Sequence, residues 1–567
     1  MSYSATEDHG TETGPKIGSQ PGSETGSEVH ARPETTSPVP ERSHVAEERY
    51  GRDSDLEREP LVRRNFLDPD DPRVSPMNLY RIRALRFAIA CMLWVNVVLF
   101  FIFLISDFVA IPGLNNRGKS FLQLDLLILN FLTNLITLWS FTVPAYYERI
   151  LGYVSGGLLF IDFIVVISVP YLRDQFGLTG NLLMLWTLLT VAVNCWADYS
   201  VEKSKKNQEI ELTGRIETRH SIWELFVMLI KIVIKLFLLL VLWNVSLGIW
   251  LQAFDSHEQP WGKMVAVDNN QFKVHLACFG DVGSSYNGTQ PIVMVEGGQL
   301  TSAEEFQEWI EELYHLNRLD RYCVWDRPGY GFSDSAPSPI SINIITEYLM
   351  EALGKEKIDG PFSVVGFDIG GLYARAFASR NSHNIHSVML VDSWHEDLLK
   401  LNPFSGPGRK NEKKKVFRNI LELMNTRTGF KLWLKGLVAP LGLVTNTHWF
   451  FHPKRYSSNS RIFGSDMVRS SKYLRARLQE QITASILSHN EMAGSDIHSV
   501  PLSVVSSDFM IKKSLNWGKW QRELTKLSSK ALEWVVAEKS GHKIWESPRG
   551  REELQKVLLR LLGDSEI

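Results

Sequence analysis

Gly366-Phe367-Asp368-Ile369-Gly370-Gly371 follows the apolar run Phe362-Ser363-Val364-Val365 and precedes a helical pattern that continues through Leu372-Tyr373-Ala374-Arg375. A glycine two places before a central polar residue, with glycines two and three places after it, suits a tight strand-to-helix turn. Such a turn leaves no room for larger neighbours and exposes the central group at a helix start. Here that group is Asp368.

The surrounding sequence repeats the same alternation. Pro291-Ile292-Val293-Met294-Val295 reads as a buried strand and leads into Glu296-Gly297-Gly298 and a helical stretch over 306–316. Tyr322-Cys323-Val324-Trp325 is a second strand, and residues 387–391 a further one ending at Asp392. Leu502-Ser503-Val504-Val505 runs toward Asp508, and residues 532–536 precede His542. Strands alternating with helices at this spacing imply an open, mostly parallel sheet with its sites at the C-terminal edge.

Taken in order, these landmarks resemble the α/β-hydrolase superfamily over roughly 271–563. They are Glu296-Gly297-Gly298, the turn Asp326-Arg327-Pro328-Gly329-Tyr330-Gly331-Phe332-Ser333, the elbow, Val391-Asp392-Ser393-Trp394-His395, and the terminal Ser540-Gly541-His542-Lys543-Ile544. The likeness is greatest to a microbial and fungal branch whose typical members carry serine where Asp368 stands. It implies a nucleophile elbow of Gly366, Asp368, Gly370 and Gly371, and makes His542 the base of a present or former site. Asp508 is the first choice for the acid that orients the imidazole, with Asp392 the alternative. Backbone amides at Ile369 and near Gly298 are the expected oxyanion donors. Residues 396–498 fall where the superfamily inserts a helical lid. The stretch 430–438 is expected to lay its apolar side on the hydrolase core, the alternative being a membrane face.

Asp368 changes the available chemistry. Serine needs a base to become a nucleophile, whereas an aspartate side chain does not. Aspartate attack on an acyl group would give an anhydride, so ordinary serine-esterase chemistry is excluded. Attack on an alkyl or epoxide carbon gives an ester, the route of the superfamily's epoxide hydrolases and haloalkane dehalogenases. Their supporting residues are not matched, because Glu296-Gly297-Gly298 departs from the epoxide-hydrolase turn and Ile369 replaces an aromatic residue. Three functions remain open: a hydrolase of unusual chemistry acting on a lipid-like or small apolar substrate, a noncatalytic binding module, or a structural domain serving the helices before it. No cofactor or metal is implied.

Those helices are written in hydropathy. Residues 87–106 carry no charge and are long enough to span a bilayer. Further apolar segments cover 121–144, 150–172, 177–197 and 226–254, with Asp125 and Asp162 as intramembrane acids. With no base evident in a neighbouring span, Asp162 reads as hydrogen bonded inside the bundle. The chain thus divides into a disordered head (1–75), an all-α bundle of about five spans (76–255) and an α/β-hydrolase domain (256–567), with the bilayer as its partner. Arg73, Arg81, Arg83 and Arg86 before the first span, and Lys203, Lys205, Lys206, Arg215 and Arg219 after the fourth, outnumber Arg117, Lys119 and Arg173 in the opposite loops. The positive-inside rule therefore puts the N-terminus in the cytosol and the hydrolase domain in a lumen or outside the cell, in an endomembrane or the plasma membrane. The sequon Asn287-Gly288-Thr289 fits that side. Lys and Arg total 61 against 63 acids, which gives no sign of a nucleic-acid partner. Four cysteines make neither a zinc pattern nor a stapled fold. Cys278 and Cys323 are expected to be separate buried thiols, with pairing the alternative in an oxidising lumen.

Overall fold

The computed structural model describes residues 67, 74–114, 117–139, 141, 144–216, 221–283, 290–400 and 427–563. Almost all of the expected head, the sequon at Asn287 and the stretch 401–426 of the lid lie outside the described residues.

Five helices are long and apolar enough to cross a membrane: α1 (Tyr80–Ser106), α2 (Ser120–Trp139), α3 (Tyr146–Ser168), α4 (Pro170–Thr213) and α5 (Ile222–Asp255). Pro170 starts α4 directly after α3, and Gly177, at φ 61°, breaks it into a short arm and a long span. Asp162 is fully buried and accepts hydrogen bonds from Ser246 Oγ (2.5 Å) and Trp250 Nε1 (2.9 Å). The bundle holds more charge than the sequence reading weighed. Glu148 Oε1 meets both Lys231 (2.9 Å) and Lys235 (2.8 Å), and Lys235 also reaches Asp198 (2.8 Å). Pairing of this kind is what makes buried charge tolerable between helices.

The hydrolase domain is built on an eight-stranded sheet in the order β1-β2-β4-β3-β5-β6-β7-β8. An antiparallel pair, β1 (Lys263–Val267) and β2 (Phe272–Phe279), leads into β3 (Ile292–Glu296), α6 (Ala303–His315) and β4 (Tyr322–Trp325). Next come α7 (Ile342–Glu356), β5 (Phe362–Phe367), α8 (Gly370–Arg380) and β6 (Ile385–Val391). Strands β3 to β8 run parallel. Every residue of β3, β4 and β5 is buried, as strands covered on both faces require. Ile292, Met294 and Val364 pack against Leu349 and Leu372 on one face, and Val293, Val295 and Val365 against Phe306 and Trp309 on the other.

Cys278 and Cys323 are disulfide-bonded, which corrects the expectation of separate thiols. They stand directly opposite one another in the antiparallel β2–β4 pair, with Cα atoms 4.1 Å apart. The register that places them so depends on β2, which sequence periodicity did not resolve.

Between β6 and β7 (Leu502–Ser507) the described part of the lid contains α9 (Arg427–Val438), α10 (Leu443–Phe451) and α11 (Ser471–Thr483). The chain closes with α12 (Leu515–Leu524), β8 (Ala531–Ala537) and α13 (Pro548–Leu562). The lid joins the helix bundle to the hydrolase domain. Phe103, Phe121, Leu124 and Leu183 of the bundle share one apolar cluster with Tyr330, Tyr473, Leu474 and Leu478. Arg475 Nε lies 3.0 Å from Asp107 Oδ1, both groups buried. Helix α9 therefore packs on α2 and α11, against the expectation of the hydrolase core, and leaves Phe430, Leu434 and Val438 exposed.

Candidate functional site

Asp368 occupies the turn from β5 into α8 at φ 54°. The turn closes only because its neighbours are small. A Cβ on Gly366 would come 2.7 Å from the Gly371 Cα, and one on Gly371 would overlap Ser393 Oγ. Gly370 likewise abuts the Gly297 carbonyl. These contacts bring the starts of three loops together at the C-terminal edge of the sheet.

His542 comes to the elbow from the loop after β8. Its Nε2 lies 3.3 Å from Asp368 Oδ1, and its Nδ1 lies 2.6 Å from Asp392 Oδ2. The ring stands 4.7 Å from Phe367 and 5.9 Å from Trp517, centre to centre. Asp392 is buried at the end of β6 and also accepts from Trp517 Nε1 (2.7 Å) and the Ser507 amide (3.1 Å). The alternative acid, Asp392, is thus the one bonded to the imidazole. The first choice, Asp508, opens a short helix and pairs with Lys512 Nζ at 2.7 Å, away from the ring. Two acids that each follow a strand look alike in sequence; the direction in which each loop leaves the sheet separates them.

The amide that meets Asp368 is that of Gln299, which donates to Oδ2 at 2.9 Å. It lies one residue beyond the expected Gly298, whose carbonyl instead accepts from Arg327 Nη2 at 2.8 Å. Ile369 is buried at the N-cap of α8. Arg327 holds the early turn as a unit. Its guanidinium also bonds the Gly297 carbonyl, lies 4.5 Å from the Tyr330 ring centre and 4.7 Å from that of Tyr373, and faces Glu480 at 3.7 Å. Tyr330 and Tyr373 both donate to Glu480, and Tyr473 donates to the Gln299 carbonyl at 2.8 Å. The motif at 326–333 contains Arg327 without indicating its role, and the sequence gives no sign of Glu480 or Tyr473. Nothing in their local pattern marks them, since they meet the turn only through the lid.

Electrostatics distinguish this site from one built around serine. Burial works to lower the His542 pKa, but hydrogen bonds to Asp368 and Asp392 overcome it and raise it to about 9. Burial lifts Asp392 above the usual carboxylate range, opposed by its contacts with His542 and Trp517. At neutral pH the resting site is an imidazolium between two acids.

Two groups of side chains elsewhere in the described residues have the spacing to hold a metal: His275 with Glu304 and Asp326, and His395 with Asp397 and Glu523. In the first, burial lowers and hydrogen bonds to Asp326 and Glu304 raise the imidazole, to about 10.

Residues 290–429 match the family described as alpha/beta hydrolase fold, and residues 41–278 match a region of unknown function (DUF2417). An "Uncharacterized vacuolar membrane protein" of Saccharomyces cerevisiae (strain YJM789) is 30% identical over 565 residues, covering 84% of this chain and 87% of its own. The chain belongs to the family of that protein, and its C-terminal part has the alpha/beta hydrolase fold. This hydrolase-fold protein is also 24% identical to an uncharacterized Schizosaccharomyces pombe protein, over 82% of this chain and 88% of that one. Among solved structures, a putative alpha/beta hydrolase from Nostoc sp. PCC 7120 has 18% identity and a TM-score of 0.37, and covers 54% of this chain and 98% of its own. An esterase from Exiguobacterium antarcticum has 16% identity and a TM-score of 0.35, with coverage of 53% and 99%.

Proposed function

We propose that this protein is a membrane-anchored hydrolase in which Asp368 attacks an electrophilic alkyl carbon, such as that of an epoxide, on a lipid-like or small apolar substrate. The observation that carries the reading is the Asp368–His542–Asp392 chain, with contacts of 3.3 and 2.6 Å at a positive-φ elbow. In the first step Asp368 Oδ1 bonds to the carbon while the carbon–oxygen bond of the leaving group breaks. The departing alkoxide takes the proton of the His542 imidazolium. Esterification removes the Asp368 charge that raises His542, so the now neutral imidazole can act as a base. His542 then takes a proton from water, and the hydroxide adds to Asp368 Cγ. The Gln299 amide, already on Oδ2, supports the charge that develops there. Collapse breaks the ester bond, releases the alcohol and restores the carboxylate.

The same contacts favour a second reading. Both Asp368 oxygens are engaged and the residue is buried, as in an ion-paired turn kept for structure within a binding module. Full-length protein in lipid nanodiscs, presented with epoxide, ester and alkyl-halide lipids in oxygen-18 water, separates the two. A hydrolase of the proposed kind places label in the Asp368 carboxylate during a single turnover, and H542A accumulates an ester adduct visible by intact mass. Turnover unchanged in both D368N and H542A would overturn the catalytic assignment, and no turnover by folded protein across the panel would favour the binding module.

For localisation, the same kind of membrane as that of the vacuolar relative is the proposal, with the hydrolase domain on the lumenal side. Support comes from the Lys and Arg asymmetry of the loops and from a disulfide in that domain, a bond that persists in oxidising compartments.

A further inference from the structure

Where the lid meets the hydrolase-side ends of the spans, a cavity of about 140 Å³ is lined by Arg117 and Lys119 before α2, Asp255 at the end of α5, and Arg461, Arg469 and Lys472 of the lid. Its charges do not cancel. Arg461 grips Asp255 through Nε at 2.9 Å, and Asp466 is taken by Arg469 and His448. Lys119 is only 7% exposed, and its ammonium donates to the side-chain carbonyl of Gln252. The Lys472 ammonium donates to the Gly331 carbonyl at 2.6 Å. Arg117 spends its guanidinium on the carbonyls of Gln271 (3.0 Å) and Asp174 (2.9 Å). Among the described residues, none of these three cations forms an ion pair. The nearby Asp334 carboxylate accepts the Lys273 amide.

A buried ammonium with no ion-pair partner is costly, and a second, partly buried one lining the same cavity repels it as well. Burial and the proximity of Lys472 pull Lys119 down to about 7, against the longer-range attraction of Asp334 and Asp255. An anion seated between the two lysines would supply what the protein omits.

The position of the cavity narrows the anion's chemistry. Its walls are the first residue before one span and the last residue of another, the level at which lipid headgroups lie. Ala439, Pro440 and Thr445 close one side. Beyond them Phe430, Leu434 and Val438 of α9, with Leu443, Val444, Phe450 and Phe451 of α10, remain exposed. An apolar surface of that size beside a cationic cavity fits a ligand with a charged head and hydrocarbon tails. We propose that this cavity binds a phosphate group, carried by a lipid headgroup or present as free phosphate, between Lys119 and Lys472. The site does not depend on whether Asp368 is catalytic.

The test is native mass spectrometry and thermal unfolding of the full-length protein in detergent, with phosphatidic acid, inorganic phosphate or uncharged diacylglycerol added. Wild type should retain phosphatidic acid or be stabilised by phosphate, and should ignore diacylglycerol. Stabilisation by inorganic phosphate alone identifies the free anion as the ligand; retention of phosphatidic acid alone identifies the lipid. K119M/K472M should bind at least tenfold more weakly while keeping its ligand-free unfolding midpoint, because it removes the buried Lys119 charge and its repulsion with Lys472. K472R keeps the charge and should keep binding, so it serves if the double variant does not fold. Equal binding by wild type and K119M/K472M, or no preference of wild type for either phosphate over diacylglycerol, would overturn the proposal.

Discussion

Replacing Asp368 by asparagine removes one of the two anions that keep His542 protonated. The pair is separated by 3.3 Å. Unit charges at that distance interact by about 5 kcal/mol at an effective dielectric constant near 20, and by about 1.3 kcal/mol in bulk water. The His542 side chain is 32% exposed, which places the loss toward the watery limit, near 2 kcal/mol or between one and two pH units as order-of-magnitude figures. The His542 midpoint should fall from about 9 to between about 7 and 8, with the 2.6 Å contact to Asp392 holding it there. The sign for stability follows. An imidazole raised by folding stabilises fully below about 6.5, and that contribution is lost as pH climbs through about 9 in wild type and correspondingly earlier in D368N. Only neutral imidazole reacts with diethyl pyrocarbonate. The modification rate of the His542 peptide, read by mass spectrometry across pH on the full-length protein, therefore reports the midpoint directly. A midpoint near 6.5 in both proteins, or one unchanged by the substitution, would refute the argument that Asp368 and His542 are electrostatically joined.

D392N should cost at least about a hundredfold in any turnover and lower the unfolding temperature, since the buried acid receives His542, Trp517 and the Ser507 amide; D508N should leave both unchanged. Activity loss in D508N with none in D392N would reverse the assignment of the orienting acid. C323S opens a loop of sequence separation 45 and should lower stability by about 4 kcal/mol, seen as a reduced denaturation midpoint that wild type matches only under reducing conditions. A lumenal hydrolase domain should carry glycan at Asn287: endoglycosidase should increase the mobility of wild type and leave N287Q unaffected, and protease digestion of this domain in sealed vesicles would argue for the opposite topology.

Much of the architecture was legible because its signals are local. The spans show as uncharged runs, and β3, β5 and β6 as short apolar strands bounded by turns. The Asp368 elbow shows as glycines whose spacing has a steric reason. What local pattern does not carry was missed or misassigned. Strands β1 and β2 precede the parallel region and have no clean alternation, so the Cys278–Cys323 register was invisible. Asp392 and Asp508 each follow a strand, and only tertiary geometry shows which one turns toward His542. The lid residues Tyr473 and Glu480 reach the early turn from more than a hundred positions away. The cationic cavity draws on Lys119 and Lys472, which have strands β1 to β6 between them in sequence.

The tie between Arg475 and Asp107 has a consequence for how the domain meets its surroundings. Asp107 is the residue immediately after α1, and Ser338 also donates to its carbonyl at 2.6 Å. No leash separates the bilayer from the lid at this point. A hydrolase on a flexible tether samples many orientations and dilutes its encounters accordingly. Here the lid is held to the end of a span by a buried ion pair and the apolar cluster around it. For the hydrolase proposed above, a domain held in this way would search in two dimensions at one height and would reach only reactive carbons that stand at the level of the elbow.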